Sequence, residues 1–129
     1  MALDIGTKRI GIALSDYLQV IAIPHSTIPR LPESEAINTI TKLARDNRVE
    51  KIIIGVPINM DNSLGHQAQD CINFSQKILG FDIIQEDERL TSEEAEERLR
   101  TRKIDFRKNK GLIDMESAAI ILEQYLARK

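Results

Sequence analysis

The sequence predicts an α/β domain with a mixed central sheet: a three-strand antiparallel meander, then parallel strands, with helices on both faces. Three observations carry that prediction. Three short apolar segments joined by turns open the chain, between Leu3 and about Ile28. Beyond Pro32 the hydrophobic period switches from that of a strand to that of a helix, and the two then alternate. Ile52-Ile53-Ile54 is a continuous β-branched run, which suits a central strand covered on both sides.

The elements follow in order. Leu3 to Ile5 ends a short strand, and Gly6-Thr7-Lys8-Arg9 supplies a turn. Ile10 to Ser15 is a second strand, and Val20 to Ile23, extended toward Ile28, a third. Pro32-Glu33-Ser34 opens a helix to about Asn47, with Ala36, Ile37, Ile40, Leu43 and Ala44 on one face. Lys51 to Val56 is the buried strand, stopped by Pro57. Ser63 to Leu79 reads as a helix closed by Gly80, and Phe81 to Gln85 as a strand. Thr91-Ser92-Glu93-Glu94 is a hydroxyl N-cap followed by acids, starting a helix to about Thr101. Arg102 to Ile113 is a basic connection, and Asp114 to Ala127 the last helix. Strands separated by helices pair in parallel through right-handed crossovers.

Composition agrees with a single domain over residues 1–129. The chain is 42% hydrophobic and 29% charged, which excludes a disordered or fibrous chain. No apolar run is long enough to span a bilayer, so no membrane partner is expected. One cysteine, Cys71, excludes an internal disulfide and a cysteine zinc cage. With Asp4 so close to the N-terminus no secretory leader is expected, and the expected location is cytoplasmic. The net charge of -2 taken alone argues against nucleic acid. The distribution argues the other way: Arg98, Arg100, Arg102, Lys103, Arg107, Lys108 and Lys110 form a run opposed only by Asp105.

Three acidic positions stand where α/β sheets gather their sites, at strand ends and helix starts. Asp4 ends the first strand, Asp87 and Glu88 follow the strand Phe81–Gln85, and Asp114 opens the last helix. Converging carboxylates hold hard divalent cations, and a cation pair is the usual clamp for phosphodiester hydrolysis. Taken singly, Asp114 reads as a helix cap and Asp87-Glu88 as a solvated strand end. Asp4 is different, because a charge in an apolar strand is costly without a partner. The Gly6-Thr7 turn offers backbone N–H groups and a hydroxyl to a phosphate, and reads equally as a plain hairpin. Asn59, after the buried strand, is a candidate for positioning substrate or for turning the chain. His25 and His66 read as structural or solvated, and Cys71 as a small buried hydrophobe.

Four blocks resemble one family. Leu3-Asp4-Ile5-Gly6-Thr7-Lys8-Arg9-Ile10-Gly11-Ile12-Ala13-Leu14-Ser15-Asp16 is similar to the opening signature of the YqgF/RuvX family. Ile54-Gly55-Val56-Pro57-Ile58-Asn59-Met60-Asp61, Asp87-Glu88-Arg89-Leu90-Thr91-Ser92 and Asp114-Met115-Glu116-Ser117-Ala118-Ala119 resemble its later blocks, in the same order. The resemblance implies an RNase H-like fold and a metal-dependent endonuclease using Mg2+ or Mn2+. The family is described as Holliday junction resolvases and as nucleases that process the 5′ end of pre-16S rRNA. The implied carboxylates, catalytic and metal-binding, are Asp4, Glu88 and Asp114. Asp87 is the alternative to Glu88, since neighbours on a strand point to opposite faces. Family members usually carry a few more residues before the first Asp, so a stub of a first strand is expected here.

The leading expectation is an endonuclease processing pre-16S rRNA in ribosome biogenesis, with resolution of branched DNA as the alternative. Lys8, Arg9, Arg89, Arg98, Arg102, Lys103, Arg107, Lys108 and Lys110 are the expected phosphate contacts. Gly6, Thr7 and Asn59 are expected to position substrate. The expected partners are nucleic acid and ribosomal precursor particles, and the expected state is a monomer or homodimer. A non-catalytic RNA-binding module is a further alternative. So is a nucleotide-binding module, because the Asp-x-Gly-Thr turn also opens sugar kinases and actin-like ATPases. Those close two domains on a nucleotide, and this length supplies one.

Overall fold

The computed structural model describes residues 1–88, 91–107 and 109–128. Its strands are β1 (Ala2–Ile5), β2 (Arg9–Ser15), β3 (Ala22–Pro29), β4 (Lys51–Val56) and β5 (Asp82–Asp87). Its helices are α1 (Glu33–Asp46), α2 (His66–Ser75), α3 (Thr91–Thr101) and α4 (Gly111–Arg128). The sheet order is β3-β2-β1-β4-β5. β1, β2 and β3 pair antiparallel, and β1–β4 and β4–β5 pair parallel. The expected mixed sheet is therefore the observed one.

The expected stub is four residues long but central. β1 pairs on one side with β2 (Asp4 with Gly11) and on the other with β4 (Leu3 with Ile54). Alternation along it sorts the two faces of the sheet. Leu3 and Ile5 join Ile10, Ile12, Ile52, Ile54 and Val56 against α1 and α2. Ala2 joins Ala13 and Ile53 against Ala118, Ala119, Ile121 and Leu122 of α4. Asp4 has the parity of Ala2, so it lies on the α4 face. Ala2, Ala13 and Gly11 beneath α4 are small, which lets the helix settle close to the sheet.

The boundaries differ from expectation in four places, each for a local reason. β3 starts at Ala22 because Asp16 Oδ1 accepts the N–H groups of Val20 and Ile21 (2.8 and 3.0 Å), diverting them from the ladder. α2 is shorter than Ser63 to Leu79: Asp61 accepts the Ser63 N–H (3.0 Å), and Ile58 bridges Leu64 before the helix begins. The helix ends at Ser75, so Gly80 is no helix cap; its φ of 94° serves the turn into β5. β5 runs on to Asp87 because Gly55 and Val56 keep pairing with Glu86 and Asp87. α4 begins at Gly111, three residues ahead of Asp114, with Asn109 Oδ1 accepting the Gly111 N–H at 3.1 Å. The hydroxyl cap expected at Thr91-Ser92 lies outside the described side chains. Among the described residues no helix is long and apolar enough to cross a membrane.

Candidate active site

Asp4 sits in a row of close approaches across the sheet. Its ladder partner is Gly11. A Cβ on Gly11 would lie 2.0 Å from the Asp114 carbonyl oxygen, so α4 rests directly on this strand. Thr27, paired with Gly11 from β3, donates its hydroxyl to the Gly111 carbonyl at 2.7 Å. On the other side, Gly55 follows Ile54, the partner of Leu3, and so lies beside Asp4. A Cβ on Gly55 would lie 2.5 Å from Glu88 Oε2. The two glycines make room for the first turn of α4 and for the Glu88 carboxyl. A glycine inside a strand pattern signals such a close approach, and that signal was readable in the sequence.

Glu88 follows β5 directly, and its N–H donates to the Val56 carbonyl at 3.2 Å, extending the β4–β5 pairing. Ile84, Glu86 and Glu88 share parity with the α4 face; Asp87 points the other way and is exposed, while Glu88 is buried. The structure thus brings Glu88 to Asp4 and not Asp87. The two carboxyls are hydrogen-bonded to each other, and burial pushes both upward, Asp4 to about 6 and Glu88 to about 9. The charge of Asp114 raises Asp4 further, and Asp4 and Asp87 raise Glu88. Near neutral pH the pair therefore shares one proton, carried by Glu88 and donated to Asp4.

Asp114 is not a helix cap, since it lies within the first turn of α4. Its charge reaches Asp4, but its Oδ2 accepts a hydrogen bond from Arg9 Nε at 2.6 Å. Among the described residues no group of three acidic, histidine or cysteine side chains is arranged to hold a metal ion. Of the three expected carboxylates, Asp4 and Glu88 are bonded to each other and Asp114 is bonded to Arg9.

The family model described as "RuvX: Holliday junction resolvase" matches residues 1–128. The chain belongs to the RuvX family. Among its curated relatives, a protein of Halothermothrix orenii is 43% identical over 129 residues, covering 98% of this chain and 92% of the relative. One of Picosynechococcus sp. is 40% identical, covering 98% and 90%. One of Anaeromyxobacter sp. (strain K) is 37% identical, covering all of this chain and 96% of the relative. All three are provisionally named pre-16S rRNA nucleases.

The RuvX resemblance implies Mg2+ or Mn2+. The donor set fits: two adjacent carboxyls, hard oxygen donors, one of which keeps a proton chiefly because of burial and then because of its neighbour's charge. A divalent cation would offset that burial and repulsion and release the proton, so the pair suits one.

The turn of this RuvX chain is a hairpin first. The Gly6 N–H donates to the Arg9 carbonyl (2.9 Å) and is not offered to a phosphate. Thr7 and Lys8 are exposed at its tip. The Gly6 carbonyl accepts Arg30 Nη1 at 2.9 Å, and Arg30 also forks onto both Asp70 oxygens at 3.0 Å and lies over the Phe74 ring. Sequence reasoning missed Arg30, since nothing local marks its partners on α2. Asn59 donates to Ser63 Oγ at 3.0 Å and braces its own loop.

The basic run divides. Arg98 forks onto Glu123 (2.9 and 2.7 Å) and reaches Glu94, so its charge is engaged within the α3–α4 pair. Arg102 pairs with buried Glu116 at 2.8 Å, and Arg107 with Asp105 at 3.2 Å. Arg98 and Arg102, two of the expected phosphate contacts, are thus ion-paired to acids on α3 and α4. Lys103 and Lys110 are exposed and make no ion pair among the described residues. Arg89 and Lys108 lie outside the described residues.

Proposed function

We propose that this chain is a divalent-cation-dependent endonuclease that hydrolyses phosphodiester bonds in nucleic acid, and that its substrate is the 5′ end of pre-16S rRNA. The observation that carries the reading is the hydrogen-bonded pair of half-buried Asp4 and buried Glu88, brought together at the ends of β1 and β5. The relatives' names supply the substrate class. Asp4 and Glu88 hold the cation, and Asp114 serves as a third carboxylate. The chemistry such a cation supplies when bound is activation of the attacking water and neutralisation of charge on the phosphate. The chain itself contributes positioning. β1 fixes Asp4 between two glycine strands, and the β4–β5 ladder fixes Glu88. Lys8 at the hairpin tip and Lys110 before α4 meet the phosphates flanking the cut.

The test presents a pre-16S transcript and a four-way DNA junction in parallel, with Mg2+, with Mn2+ and with EDTA. Cleavage of the transcript alone is expected, abolished by EDTA and by Asp4→Asn or Glu88→Gln. Cleavage of the junction alone would move the reading to a resolvase. Cleavage that survives Asp4→Asn would end the assignment of the site.

A further inference from the structure

Arg9 stands on β2 two residues before Gly11, on the face that carries Asp4 and α4. Its contact with Asp114 uses Nε alone. Among the described residues neither terminal nitrogen of Arg9 has an intramolecular hydrogen bond. A guanidinium can form two parallel bonds with one carboxylate or phosphate, so this one is half engaged. The Arg9 side chain is 40% exposed and that of Asp114 is 21% exposed. The Arg9 side chain is thus open enough to solvent for a phosphate to reach it. A partly exposed ion pair is weak, so a phosphate can compete for the arginine. Asp114 is meanwhile close enough for its charge to act on Asp4.

We propose that Arg9 is a positioning residue with two settings: without nucleic acid it holds Asp114 apart from the Asp4–Glu88 pair, and a substrate phosphate takes the guanidinium and frees Asp114 to join them on the cation. The inference rests on the nuclease reading above. It makes the third carboxylate available only when there is a phosphodiester to cut.

Calorimetric titration of the whole chain with Mn2+ tests it, using wild type, Arg9→Ala, Asp114→Asn, the double variant and Asp4→Asn. Arg9→Ala is expected to bind Mn2+ about fivefold more tightly than wild type, the size of one partly exposed ion pair. The gain should vanish in the Asp114→Asn background, whereas a general effect of removing a positive charge would persist there. A 2′-O-methyl RNA oligonucleotide should tighten Mn2+ binding by wild type and leave Arg9→Ala little changed. Arg9→Gln replaces Arg9→Ala if thermal melting shows the latter unfolded. Unchanged or weaker Mn2+ binding on loss of Arg9, or an equal gain without Asp114, overturns the proposal. If wild type binds Mn2+ and Asp4→Asn does not, such a failure leaves the nuclease reading standing. If wild type binds no Mn2+, both fall.

Discussion

The Glu88 carboxyl fills the space above Gly55: a Cβ there would lie 2.5 Å from Glu88 Oε2, and equally close to Ile121 Cδ1 of α4. Gly55→Ala is therefore expected to displace Glu88 from Asp4. Overpacking of this kind costs about 1–3 kcal/mol. Urea denaturation should find a folded but destabilised protein, and calorimetry should find Mn2+ binding lost. Retention of wild-type Mn2+ affinity would show that Glu88 is not held in place by this contact.

Stability should depend on pH through the same pair. Glu88 is raised from 4.5 to about 9, so the folded chain keeps a proton that the unfolded chain gives up. Its favourable contribution is full below about 4.5 and is lost as pH rises toward about 9. Asp4, raised from 3.8 to about 6, acts in the same direction over its lower window. For one proton the slope is at most about 1.4 kcal/mol per pH unit. Melting temperatures of wild type, measured without metal, should fall across this range relative to those of Glu88→Gln. Parallel profiles for the two proteins would contradict the shared proton.

Arg30 ties β3, α2 and the hairpin together through Asp70 and the Gly6 carbonyl. Arg30→Met is expected to destabilise the fold by about 1–3 kcal/mol, since the part-buried Gly6 carbonyl loses its donor. The loss is limited because the Asp70 side chain is 37% exposed and can be rehydrated. Hydrogen exchange at the Gly6 amide, which bonds the Arg9 carbonyl, should accelerate. An unchanged exchange rate would mean that the turn does not depend on Arg30.

The divided basic run gives a contrast between two variants. Lys8→Ala with Lys110→Ala should weaken binding of a single-stranded precursor fragment. It should also lower the slope of log affinity against log salt by about 0.7 per lost contact. Arg98→Ala should leave both quantities unchanged and lower the melting temperature instead, by the equivalent of about 1 kcal/mol. Loss of RNA affinity in Arg98→Ala would return that residue to the nucleic-acid surface.

The sequence by itself determined the mixed sheet and the sides on which its residues stand. Hydrophobic period and turn chemistry act between near neighbours, so the three-strand meander and the Ile52-Ile53-Ile54 strand were legible, whereas Glu88 and Asp87 stayed alternatives until the β4–β5 register set which of them faces α4. Helix starts were less so, because Asn109 and Gly65 shift α4 and α2 by a few residues through local hydrogen bonds and backbone shape. The tertiary structure decided which charges meet. Arg98 meets Glu123 only because α3 packs on α4. Asp114 meets Arg9, a residue 105 positions away, only because α4 is lowered onto Gly11. The physical reason is range. Alternation and capping are fixed within a few residues, whereas an ion pair exists only once packing has brought distant segments to within a few ångströms.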